Sequence, residues 1–121
     1  MEILNGTDII EVRRIQEDIE KLGDKFLRRI FTENEIKYCE EKKTQKYQSY
    51  AARFAAKEAI YKALSKFIDT GYSWKDFEIL NDEIGKPYVN LGIKINGPES
   101  ISITLSHCKE YAVANVIAIY K

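Results

Sequence analysis

A chain of 121 residues with 45% hydrophobic and 31% charged positions, two prolines and six glycines has the composition of one compact domain, residues 1–121, and not of a disordered segment. Nineteen basic residues balance nineteen acidic ones, so the zero formal net charge argues against a global attraction to nucleic acid and confines charge-based recognition to local patches. Two cysteines, Cys39 and Cys108, are too few for a disulfide framework, and "MEILNGTDIIEV" has neither a basic segment nor a long apolar run, so a cytoplasmic location with no membrane partner is expected.

In chain order, Ile3-Leu4 and Ile9-Ile10, interrupted by "NGTD", predict a short strand whose end exposes Asp8. Ile15, Ile19 and Leu22 recur at helical intervals from Glu11 to Leu22, with Gly23 as the stop. Phe26 and Ile30 continue the stripe in a second short helix. "FTENEIKYCEEK" then starts a third, with Thr32 as N-cap and Glu35 three residues on, the spacing of a capping box. Tyr47 to Phe67, rich in alanine, reads as the longest helix and ends before "DTGYS". "FEILND" and "PYVNL" about "EIGK", and the two runs of "ISITLSHCKEYAVANVIAIY" about "CKEY", predict antiparallel hairpins. Helices first and hairpins second predict an α+β fold in which the long helix covers a small antiparallel sheet, with strand order left open.

The chemistry concentrates in "RFAAKEAIYKAL", residues 53–64. On a helix Phe54, Glu58 and Lys62 share one face, while Lys57 is turned about 100° from Glu58. By spacing alone, Glu58 and Lys62 form a surface pair of about 0.3–0.5 kcal/mol. The chemical alternative makes Glu58 a hard oxygen ligand for Mg²⁺ and the lysines neutralisers of phosphate, with Asp8 as the second carboxylate. His107, following Ser106, and "GKP", Gly85 to Pro87, read by default as a strand end and a hairpin turn. Arg14, Lys21, Lys25 and Arg28 fall on one basic face if the first helix runs on across Gly23.

Taken in order, "GTDIIEV", "IFTENEIKYC" with Phe31, Glu35 and Tyr38, "RFAAKEAIYKAL", "GKP" and "ISITLSH" resemble the holo-acyl-carrier-protein synthase family, the small 4′-phosphopantetheinyl transferases. The Lys57-Glu58-Ala59 run with Lys62, paired with Gly6-x-Asp8, carries most of that resemblance; Thr7 departs from the apolar residue usual between the glycine and the aspartate. The resemblance implies Mg²⁺-dependent transfer of 4′-phosphopantetheine from coenzyme A to a serine of apo-acyl carrier protein, releasing adenosine 3′,5′-bisphosphate, in fatty-acid synthesis. It further implies Asp8 and Glu58 as Mg²⁺ ligands, Lys62 and Lys57 at the phosphates, and Gly85, Lys86, Pro87, Ser106 and His107 in the coenzyme A pocket. Asp8 is also open to a part in removing the serine proton. The resemblance implies carrier-protein docking on the helical region centred on Arg14, and a homotrimer with interfacial active sites.

Two other function classes fit the residues alone: a domain that binds an acidic partner through the Arg14 face, and another Mg²⁺ enzyme acting on a nucleotide. No Walker-type loop, dinucleotide-binding glycine motif, zinc-ligand spacing or nucleophile-elbow motif is present.

Overall fold

Residues Glu2–Glu11 form a single ten-residue strand, β1, of which every residue pairs antiparallel with the last strand, Tyr111–Tyr120. The expected interruption at "NGTD" is absent because that partner strand continues past it without a bulge, and Asp8 lies inside the strand opposite Ala114 instead of at its end. In the computed structural model, which describes residues 1–68 and 71–121, the remaining elements follow in order. These are α1 (Val12–Leu22), α2 (Asp24–Ile30), α3 (Glu33–Glu40), α4 (Lys46–Leu64), β2 (Phe77–Asn81), β3 (Pro87–Leu91), β4 (Ser100–His107) and β5 (Tyr111–Tyr120). The "DTGYS" boundary falls partly on residues 69 and 70, outside the described residues.

The strands make two antiparallel units rather than one sheet: β1-β5-β4, and the hairpin β2-β3. Alternation along β5 sends Ala112, Ala114, Val116 and Ala118 inward, all of them fully buried. α4 lies across that face, over β1 and β5. Its own packing residues are also small, Ala51, Ala52, Ala55, Ala56, Ala59 and Ala63, so helix and sheet approach closely. The contact is tightest at Gly6, where a Cβ would strike the carbonyl of Ala59.

Helix ends follow the local chemistry. Gly23, at φ 60°, separates α1 from α2, and its N–H closes the first helix on Ile19 O at 2.8 Å. Thr32 and Glu35 form the expected capping box of α3. α4 stops at Leu64, three residues short of the expected end, because Ser65–Phe67 tightens into a 3₁₀ turn. Both cysteines are free, with Cys39 buried on α3 and Cys108 exposed in the β4–β5 turn.

Candidate active site

β1 and α4 bring Asp8, Glu58 and Lys62 together. Asp8 points inward from β1, on the Ala114 side of the sheet, and is 18% exposed. Lys62 reaches across from α4 and donates to Asp8 Oδ1 and to Thr7 O, each at 3.0 Å. The ion pair that forms is thus Lys62–Asp8 and not the Glu58–Lys62 pair that helical spacing suggests. Glu58, one turn before Lys62, is half-buried, and burial followed by the Asp8 charge raises its carboxyl above the usual range. Lys62 and Arg14 pull the other way. Two carboxylates, one of them short of compensating charge, face a lysine and an arginine.

That donor set suits a hard divalent cation that takes few ligands from the protein. Among the described residues no three His, Cys, Asp or Glu side chains converge, so a self-contained metal cage does not exist. Mg²⁺ needs none, since it takes one or two carboxylates and completes its shell from water and substrate phosphate. Two hard oxygen donors beside a lysine match that requirement.

Lys57 does not join them, and its assignment to a phosphate is corrected by its burial. It has no exposed surface and donates to Glu35 Oε1 at 2.9 Å, Phe77 O at 2.6 Å and Trp74 O at 3.2 Å, which uses all three of its protons. Burial pushes the Lys57 ammonium below its usual range, and the Glu35 carboxylate opposes that shift. Glu35 is equally buried and accepts from Thr32 N at 2.8 Å and Ile79 N at 2.9 Å, so the capping-box residue of α3 is also the counterion of α4.

The other pocket residues divide. Gly85, Pro87 and His107 line one groove of about 300 Å³, together with Tyr38, Lys42 and Arg53. Lys86 and Ser106 do not: both are exposed beside the groove, and Ser106 lies on the sheet face opposite to that of His107.

Arg53 is the residue that sequence reasoning passed over. It is only 3% exposed, yet among the described residues it pairs with no carboxylate. It donates to Ser49 Oγ and Asn81 Oδ1, its guanidinium stacks 4.1 Å from the Tyr38 ring centroid, and its Nε has no partner. A buried guanidinium that lines a groove and has only neutral partners keeps its charge available to an anion entering that groove. The signal in the sequence was the run Ser49, Arg53, Lys57: polar residues one turn apart on a helix otherwise lined with alanine.

Arg53 and Glu58 are five residues apart, so they point about 140° apart around α4. The carboxylate cluster therefore opens on the β1 side of the helix and the Arg53 groove on the β4 side, with α4 between them.

The basic face expected over residues 14–28 is also corrected, since the helix breaks at Gly23. Arg14, Lys21, Lys25 and Arg28 are all exposed, but Arg28 is bound to Glu33. Of the four, Arg14 is the one whose charge bears on the Glu58 carboxyl.

Residues 5–116 match the family model described as the 4′-phosphopantetheinyl transferase superfamily. A holo-[acyl-carrier-protein] synthase of Ruminiclostridium cellulolyticum is 53% identical over 123 residues, covering 97% of this chain and 92% of the relative. Among solved structures, a holo-(acyl-carrier-protein) synthase of Bacillus anthracis in complex with CoA (3′,5′-ADP) is 39% identical with a TM-score of 0.79, covering 98% of this chain and 96% of its own. The Helicobacter pylori enzyme in complex with coenzyme A is 31% identical with a TM-score of 0.83, covering 95% and 99%. These likenesses span the carboxylate cluster and the Arg53 groove alike, and the chain belongs to the 4′-phosphopantetheinyl transferase superfamily, among its holo-[acyl-carrier-protein] synthases.

Proposed function

We propose that this chain transfers 4′-phosphopantetheine from coenzyme A to a serine hydroxyl of apo-acyl carrier protein, releasing adenosine 3′,5′-bisphosphate, in fatty-acid synthesis in the cytoplasm. The observation that carries the reading is the convergence of Asp8, Glu58 and Lys62 beside Arg14. Asp8 and Glu58 hold Mg²⁺, which when bound offsets the charge of the coenzyme A diphosphate. Lys62 fixes the Asp8 carboxylate through Oδ1 and presents its ammonium to the same phosphates. Arg53, with Gly85, Pro87 and His107 around it, binds the 3′-phosphate end of coenzyme A.

Chromatography tests the reaction. The expected result is adenosine 3′,5′-bisphosphate in one-to-one ratio with modified carrier, dependent on Mg²⁺ and on apo carrier. Nucleotide release without carrier modification would point to a different Mg²⁺ enzyme.

Because α4 separates the carboxylate cluster from the Arg53 groove, the reading includes a homotrimer in which one subunit's cluster faces the next subunit's groove. The outer sheet face supports it: Ile3 and Ile9 are each 64% exposed and Ile117 is 44% exposed, a patch that association would cover. Glu58→Gln and Arg53→Met proteins, each impaired alone, are then expected to regain activity when unfolded and refolded together. Activity no greater than the sum of the two would contradict a shared site.

Carrier docking centres on Arg14, which is exposed and adjoins Glu58 electrostatically. Arg14→Glu is expected to raise KM for the acidic carrier protein by about tenfold, with KM for coenzyme A within about twofold. The same steering predicts a rate that falls with added salt. Arg28→Ala, at a residue already paired with Glu33, should change either KM little.

A further inference from the structure

Lys57 and Glu35 are fully buried, and their bonds join four parts of the fold: the N-terminus of α3, the middle of α4, the turn at Trp74–Asp76 and the start of β2. The two carbonyls that Lys57 engages belong to Trp74 and Phe77. Those same residues, with Tyr61 and Tyr72, line a cleft of about 510 Å³ against Glu58, the next residue after Lys57. One ammonium therefore holds the wall of the cleft to the helix turn that presents the carboxylate. Phe54, one turn before Glu58, stacks on Trp74 with ring centroids 5.2 Å apart and adds an apolar contact to the same junction.

We propose that the Lys57–Glu35 pair is a positioning device for cation binding, fixing the register of α4 against the Trp74–Phe77 segment so that Glu58 meets the cation at the depth of Asp8. The inference rests on the reading of Glu58 as a cation ligand. Lys57 touches neither substrate nor cation; it acts through the backbone it shares with Glu58 and through the wall opposite. An apolar side chain at position 57 would leave the buried Glu35 carboxylate without a counterion, held only by the N–H groups of Thr32 and Ile79, and would free the Trp74 and Phe77 carbonyls from α4, so the junction would shift to bring water to the charge.

The test is a Mn²⁺ titration followed by electron paramagnetic resonance, with coenzyme A present and carrier protein absent, so that the readout requires no turnover. Lys57→Met, folded by circular dichroism, is expected to weaken Mn²⁺ binding at least about tenfold, the range found when groups supporting a metal ligand are removed. It should raise the half-saturating Mg²⁺ concentration in turnover equally, leave KM for carrier protein unchanged, and recover part of the affinity in Lys57→Arg. Should Lys57→Met not fold, Glu35→Gln, which removes the counterion but retains a polar acceptor, carries the same titration. Unchanged Mn²⁺ affinity in a folded variant of lowered Tm would make the pair a stabilising element only and overturn the proposal. Glu58→Gln separates the two readings: Mn²⁺ binding that survives it removes Glu58 as a ligand and this inference with it, whereas loss on Glu58→Gln with no change in the Lys57 variant overturns positioning alone.

Discussion

Glu58→Gln is expected to lower Mg²⁺-dependent turnover by at least about 100-fold while holding or raising the Tm of the metal-free protein. The two effects share a cause. Glu58 is half-buried, and both that burial and the Asp8 charge disfavour its ionised form, so the folded state without a cation bears a cost that a neutral amide removes. With Mg²⁺ present the same carboxylate is the favourable partner, and the amide is a far weaker ligand. Acid should imitate the substitution. A carboxyl whose pKa is raised takes up its proton at a higher pH than an ordinary glutamate, so cation affinity is expected to fall as pH drops through that raised value. The measurement is the Mg²⁺ half-saturation across pH, alongside thermal melts of both proteins with and without the cation. A turnover loss accompanied by a large fall in Tm would instead indicate damage to packing.

Arg53→Met is the second large effect, an increase in KM for coenzyme A of about 10- to 100-fold, from losing charge-assisted bonds to one phosphate. The matching substrate change is coenzyme A lacking its 3′-phosphate. The unmodified protein should discriminate strongly between the two donors, and Arg53→Met should treat them nearly alike, which isolates the pairwise interaction. Stability should change little: Arg53 is buried without a carboxylate partner, so methionine relieves desolvation at the same site where it loses the bonds to Ser49 and Asn81. Continued discrimination by Arg53→Met would remove the guanidinium from the 3′-phosphate.

The elements were legible in the sequence where a local rule has one outcome. Gly23 ends a helix because its φ of 60° suits glycine, and Thr32 with Glu35 caps α3 by reciprocal bonds between near neighbours. The hairpin turns at "EIGK" and "CKEY" are local in the same sense. Tertiary pairing was not legible. "NGTD" reads as an interruption of the strand, yet β5 holds all of it in register, and Gly6 is there to admit the Ala59 carbonyl.

The site divides likewise. Asp8, Glu58 and Lys62 were singled out by residue type and motif, and the fold brings them together, with the partner of Lys62 lying 54 residues away on β1. Lys57 failed as a phosphate ligand because its charge is satisfied by Glu35 and two carbonyls from distant segments, which no spacing along α4 reveals. Arg53 was missed for the opposite reason. An arginine among alanines looks solvated until the fold buries it without a counterion.

Intact-mass spectrometry of apo-acyl carrier protein, incubated with this protein and coenzyme A with and without Mg²⁺, tests the central claim most directly. The account predicts a gain of one phosphopantetheine that requires Mg²⁺ and disappears when the carrier serine is replaced. An unchanged carrier mass across several carrier proteins, with the enzyme folded and Mg²⁺ saturating, would contradict it.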